Sequence, residues 1–110
     1  MSAAVQVTLL WSGGCPNSQE AESRVRRALE VAGLPPRALT VRQVETWEEA
    51  EQLCFRGSPT VLVDGTDPFA EPSDPVALAC RVYRTAEGTE GAPSVTALVE
   101  AVRTAIAGRS

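Results

Sequence analysis

The chain contains no histidine and no lysine; all ten of its basic residues are arginine. Without imidazole there is no His general base, no His metal ligand and no Ser-His or Cys-His pair. Without lysine there is no Schiff-base chemistry. A nucleophile in this chain must therefore be activated by the backbone, by arginine or by a carboxylate. No Cys-x-x-Cys pair is present among the three cysteines Cys15, Cys54 and Cys80. That spacing gives no support for zinc, and thiols on such distant elements do not make a tight tri-thiolate site. No metal site and no cofactor are expected. No run approaches the ~20 apolar residues of a membrane span. The opening MSAAVQVTLLW lacks a basic leader region and alternates as a strand does, so it reads as no signal peptide and a cytoplasmic location is expected. In that compartment cysteines are more often catalytic, metal-bound or buried than structurally paired. The formal charge of −4 disfavours nucleic acid as a partner.

What is present reads as one domain over residues 1–110. Val5, Val7, Leu9 and Trp11 alternate as a strand, and the apolar Leu10 makes that strand central. After Gly-Gly-Cys-Pro, the residues Ala21, Val25, Ala28, Leu29 and Ala32 follow helical spacing, with acids first and arginines later. Gly33 and two prolines stop this helix. Leu39 and Val41, extending to Val44, mark a second strand. Thr46 with Glu49 forms a capping-box pattern before a short helix carrying Trp47, Ala50, Leu53 and Cys54 on one face. TVLVDG is a strand ending in a turn signal, and LACRVYR reads as a fourth strand with Leu78, Cys80 and Val82 on one face. Ser94 caps a final amphipathic helix through Ile106. The order is β-α-β-α-β-β-α. The first three strands are expected to be parallel through right-handed crossovers, with the fourth returning beside the third. The acids Asp64, Asp67, Glu71 and Asp74 lack calcium-loop spacing and read as solvent-facing turn residues.

This order, with Cys15 at a strand-to-helix turn and Gly57-Ser58-Pro59-Thr60 before the third strand, resembles the thioredoxin-like superfamily. Trp11 matches that family's aromatic residue at the end of the first strand. Cys15-Pro16-Asn17-Ser18 matches its Cys-x-x-Cys, and Pro59 its cis-proline. GSPTVLVDG and CRVYRT are also similar to segments of small actinobacterial thioredoxin-like proteins linked to organomercurial lyases. The resemblance implies a three-layer α/β/α sandwich with a four-stranded mixed sheet. It further implies a cis Ser58–Pro59 bond that exposes the Ser58 backbone to an extended substrate, in a form of strand addition.

The residues themselves argue for thiol chemistry. If the first helix begins near Pro16, its unpartnered N–H groups point toward Cys15. A thiolate is favoured at a helix N-terminus, where cysteine pKa falls from ~8.5 into the range ~3.5–7.5. Ser18 lies one turn on, where its hydroxyl can donate to the sulfur. The bland alternative makes Cys15 a small capping residue. Ser18 stands where a resolving cysteine would be, and serine cannot resolve a mixed disulfide. Three uses then stay open: a monothiol enzyme reset by an external thiol, resolution by a distant cysteine, or binding of a protein, small molecule or soft metal such as mercury without turnover. Cys54, at the end of the second helix, is the candidate resolving thiol, against simple helix-face packing. Cys80 is expected in the core, ~10 Å short of the active edge at ~3.3 Å per residue. Trp11, Pro16, Ser58, Pro59 and Tyr83 are the expected substrate-binding residues, with Tyr83 and Arg84 near the active edge against a solvated strand end. The expected partner is a protein or low-molecular-weight thiol or disulfide.

Overall fold

A computed structural model describes residues 5–13, 15–70 and 74–108. Strand β1 (Val7–Trp11) leads through a turn into helix α1 (Ser18–Ala32). Gly33 ends α1 in the left-handed conformation. Its N–H donates to the Glu30 carbonyl and that of Leu34 to the Leu29 carbonyl. A 3-10 turn (Pro36–Ala38) then feeds β2 (Leu39–Gln43). Thr46 and Glu49 form the expected capping box at α2 (Trp47–Leu53): the Thr46 hydroxyl accepts from the Glu49 N–H at 3.1 Å. Strands β3 (Arg56–Ser58) and β4 (Thr60–Val63) follow, separated by Pro59. Strands β5 (Ala77–Cys80), β6 (Tyr83–Thr85) and β7 (Gly88–Glu90) lead to α3 (Val95–Ala107). The Ser94 hydroxyl caps α3 by accepting from the Ala97 N–H at 3.1 Å.

The largest sheet has the order β2-β1-β4, with β1 parallel to β2 and antiparallel to β4. Both faces of β1 are buried, as its unbroken apolar end requires. Val7 and Leu9 pack with Val61, Val25, Leu29, Leu98 and Val102 beneath α1 and α3. Leu10 and Leu62 pack on the opposite face with Val44, Ala50 and Phe55 beneath α2. Arg24 fastens α1 to the segment before α3. Its guanidinium meets Glu90 at 2.7 Å and the carbonyls of Ala92 and Pro93.

The expected four-stranded sandwich of order β-α-β-α-β-β-α is not formed. The described residues instead build a mixed α/β globule with three helices and separate sheets of three, two and two strands. The third expected strand is antiparallel to the first, not parallel. The fourth divides: β5 pairs in parallel with β3, and β6 forms a hairpin with β7. The physical reason lies on either side of β4. Asp64 and Gly65, both at positive φ, turn the chain so that Thr66 bridges back to Val63. The later segment finds its partners before Pro59 instead: the Ala77 N–H donates to the Phe55 carbonyl and the Arg81 N–H to the Ser58 carbonyl.

Candidate functional site

The site forms where β1, the start of α1, β3 and β5 meet. Cys15 is buried, with 8% of its surface exposed. Its thiol donates to the Ser58 carbonyl at 3.4 Å. The Ser58 hydroxyl accepts from the buried Ser12 N–H at 3.1 Å, which leaves its own proton free for the Cys15 sulfur. The bond between Ser58 and Pro59 is cis, as the resemblance implied.

Burial pushes the Cys15 thiol up, but hydrogen bonds outweigh it and the net direction is down. They come from the Ser58 hydroxyl, the Asn17 backbone, the Cys80 thiol and the Asn17 side chain. The Cys15 contact itself pushes Cys80 up, with desolvation and the charge at Cys15 adding to it. In this pair Cys15 is the readier thiolate and Cys80 the proton donor.

The helix start differs from the expectation. α1 begins at Ser18 and Asn17 is its N-cap, so Pro16 lies in the preceding turn and is exposed. The Asn17 side chain makes no capping bond; it turns to Cys15 instead. Gly91 leaves room for it, since a Cβ there would stand 2.3 Å from the Asn17 side-chain carbon. Ser18, expected to donate to the sulfur, is not among the groups that reach it. Asn17, Ser58 and Cys80 supply what Ser18 was expected to supply. Asn17 carried a signal in the sequence, because Asn is a preferred residue at helix starts.

Tyr83 is also placed differently. It is buried, and its hydroxyl donates to the Pro59 carbonyl. Burial pushes its phenol strongly upward, with Asp67 adding to the rise and Arg81 opposing it. Tyr83 therefore braces Pro59 from beneath, and it also lines the groove that holds Cys80. Arg81 lies 4.6 Å from the Tyr83 ring centre and binds Asp67 at 2.6 Å, while Phe69 meets the same ring edge-on. Asp67, expected in solvent, is buried with its side chain only 1% exposed. Asp64 is exposed as expected and accepts from the Gln6 N–H, Asp74 is half-buried, and Glu71 lies outside the described residues.

Cys80 is the main correction. It is exposed, as are Leu78 and Val82, so the face expected to enter the core points outward. The expectation assumed a strand beside β4; pairing with β3 puts Cys80 opposite Ser58. Nothing local in the sequence signals this, because the contact depends on the pairing of two distant strands. Cys54 closes α2 at positive φ and is exposed. It lines a cavity with Leu62, Gly65 and Thr66, apart from the groups gathered at Cys15. Trp47, on the same helix, is exposed as well. Trp11 ends β1 half-buried, opposite Gln43.

Among the described residues, no cluster of three or more His, Cys, Asp or Glu side chains is arranged to hold a metal ion. Among the same residues, no helix is long and apolar enough to cross a membrane. Comparison with protein-family models, curated proteins and solved structures gives no match.

Proposed function

We propose that the protein carries out thiol-disulfide exchange of the monothiol kind through Cys15, on a protein or low-molecular-weight disulfide. The observation that carries this reading is the setting of one sulfur: Cys15 lies 3.4 Å from the Ser58 carbonyl beside the cis Ser58–Pro59 bond, where Ser58, Asn17 and Cys80 hold its thiol below the ordinary range against its burial. The resemblance of Trp11, Cys15-Pro16-Asn17-Ser18 and Pro59 to thioredoxin-like segments supports the same chemistry. The Cys15 thiolate attacks one sulfur of a disulfide. The substrate S–S bond breaks, a mixed disulfide forms on Cys15, and the leaving thiolate takes a proton from solvent. An external thiol then displaces the substrate half and restores Cys15.

The test is the pH dependence of alkylation at each cysteine, followed by peptide mass. Cys15 is expected to react with a midpoint well below ~8.5, and Cys15→Ser to abolish exchange with glutathione disulfide. A Cys15 midpoint at or above the ordinary value, or exchange that survives Cys15→Ser, overturns the reading. A second reading, a binding module without turnover, is favoured by the exposed Leu78 and Val82 flanking Cys80. It predicts partner binding that persists in Cys15→Ser and no turnover with any thiol donor.

A further inference from the structure

We infer that Cys80 is the resolving thiol for Cys15, so that the site completes its reaction with an internal Cys15–Cys80 disulfide. The inference rests on the thiol-exchange reading and replaces its external resolving thiol with one inside the chain. Three observations carry it.

The first is position. One carbonyl, that of Ser58, accepts from the Cys15 thiol at 3.4 Å and from the Arg81 N–H at 2.8 Å. Cys80 precedes Arg81 in the chain and stands opposite Ser58 in the β3–β5 pairing. Both cysteines are thus gathered on one residue, close enough for each thiol to shift the other's titration. A disulfide between them requires their Cα atoms to lie within ~7 Å, and the shared Ser58 position is what brings the two residues together.

The second is rigidity with access. Arg81 is fixed through Asp67, the Thr60 hydroxyl and the Tyr83 ring, so its neighbour Cys80 is held in place. The Cys80 side chain remains exposed and lines a groove of about 740 Å³ with Arg56, Val82, Tyr83 and Arg84. The groove therefore presents Cys80, while Cys15 lies behind it with 8% of its surface exposed.

The third is the order of proton events. While Cys15 is a thiolate, Cys80 donates to it and is held protonated, with its pKa pushed up. Once Cys15 is capped, that negative charge is gone and the restraint on Cys80 is lifted. The Cys80 thiolate then attacks the Cys15 sulfur. The Cys15–substrate bond breaks, the Cys15–Cys80 bond forms, and the second substrate thiolate leaves with the proton that Cys80 gave up. The substrate disulfide gains two electrons and two protons; the two cysteines lose the same. A dithiol reductant returns the pair to its starting state. Cys54 lines a different cavity and takes no part.

The test reacts the full chain carrying Cys54→Ser with one equivalent of glutathione disulfide, followed by intact and peptide mass. The expected product has lost two hydrogens, links the Cys15 and Cys80 peptides, and has released two glutathione thiols. Adding Cys80→Ser, an exposed and mild change, is expected to stop the reaction at a persistent single glutathione adduct on Cys15. If the same persistent adduct forms whether or not Cys80 is present, Cys80 does not resolve, and the thiol-exchange reading stands without it. If Cys15 takes up no glutathione in either protein, both the inference and the reading beneath it fail.

Discussion

Cys15 draws its stabilising groups from three parts of the chain, and each can be removed singly. Ser58 is the first of them: it is fully buried and bridges the Ser12 N–H to the Cys15 sulfur. Ser58→Ala is expected to raise the alkylation midpoint of Cys15 and slow its labelling at pH 7. It also strands the buried Ser12 N–H, at about 1–3 kcal/mol. For a domain of this size each kcal/mol lowers Tm by roughly 4–8 °C, which a thermal melt reads directly. The two thiols also shape stability against pH, with opposite signs. Cys15 is held below its unfolded value, so its contribution grows as pH rises through its folded pKa toward the ordinary thiol value. Cys80 is held above its unfolded value, so its contribution is full below the ordinary value and is lost as pH climbs through the raised one. Melts of the reduced protein are expected to show a shallow stability maximum near ~8.5, absent in Cys80→Ser.

Two glycines set the elements around the site. Gly57 lies at a φ of 108°, and a Cβ there would approach the Ala79 carbonyl oxygen and the Arg81 Cβ at 3.0 Å. This close contact lets β3 and β5 pair and so brings Cys80 opposite Ser58. Gly57→Ala is expected to destabilise by about 1–3 kcal/mol and to weaken the Cys15–Cys80 coupling. Gly91 has a different purpose: a side chain there meets the movable amide of Asn17, not backbone. Gly91→Ala is expected to leave the melt nearly unchanged while raising the Cys15 midpoint slightly, since the Asn17 backbone bond remains. A large loss of stability with an unmoved midpoint would show that Asn17 is not the group displaced. These elements were unevenly legible. The cap at Ser94 and the box at Thr46 depend on residues three apart, and they formed as expected. The start of α1 shifted from Pro16 to Ser18, with Asn17 at the N-cap position and no side-chain capping bond there.

At the scale of the whole molecule, one ion pair ties the loop after β4 to the strands around the site. Asp67 and Arg81 are 1% and 10% exposed at their side chains and meet at 2.6 Å. Arg81 reaches onward to the Tyr83 ring, whose hydroxyl holds the Pro59 carbonyl. Asp67→Ala leaves the Arg81 charge poorly compensated where its side chain is only 10% exposed, and a loss of about 3–5 kcal/mol is expected. Because the pair is buried, that loss is expected to change little between low and high salt, whereas surface pairs such as Glu22–Arg26 are screened. A loss that vanishes in high salt would show that the pair is effectively at the surface.

The sequence by itself determined the three helices, the buried central strand, the position of Cys15 at a strand-to-helix turn, and the absence of any imidazole to activate it. These follow from local spacing, capping residues and composition, which act over a few residues. Only the tertiary structure decided that the strands divide into three sheets, that Asp67 and Tyr83 are buried in support of Pro59, and that Cys80 stands opposite Ser58. Those outcomes depend on which distant strands pair, and a one-partner change in pairing carries a whole segment from the core to the surface. LACRVYR shows the effect: its alternation is equally compatible with a strand buried beside β4 and with an exposed one beside β3. The choice was made by the hydrogen bonds that the Phe55 and Ser58 carbonyls accept from Ala77, just before it, and from Arg81 at its middle.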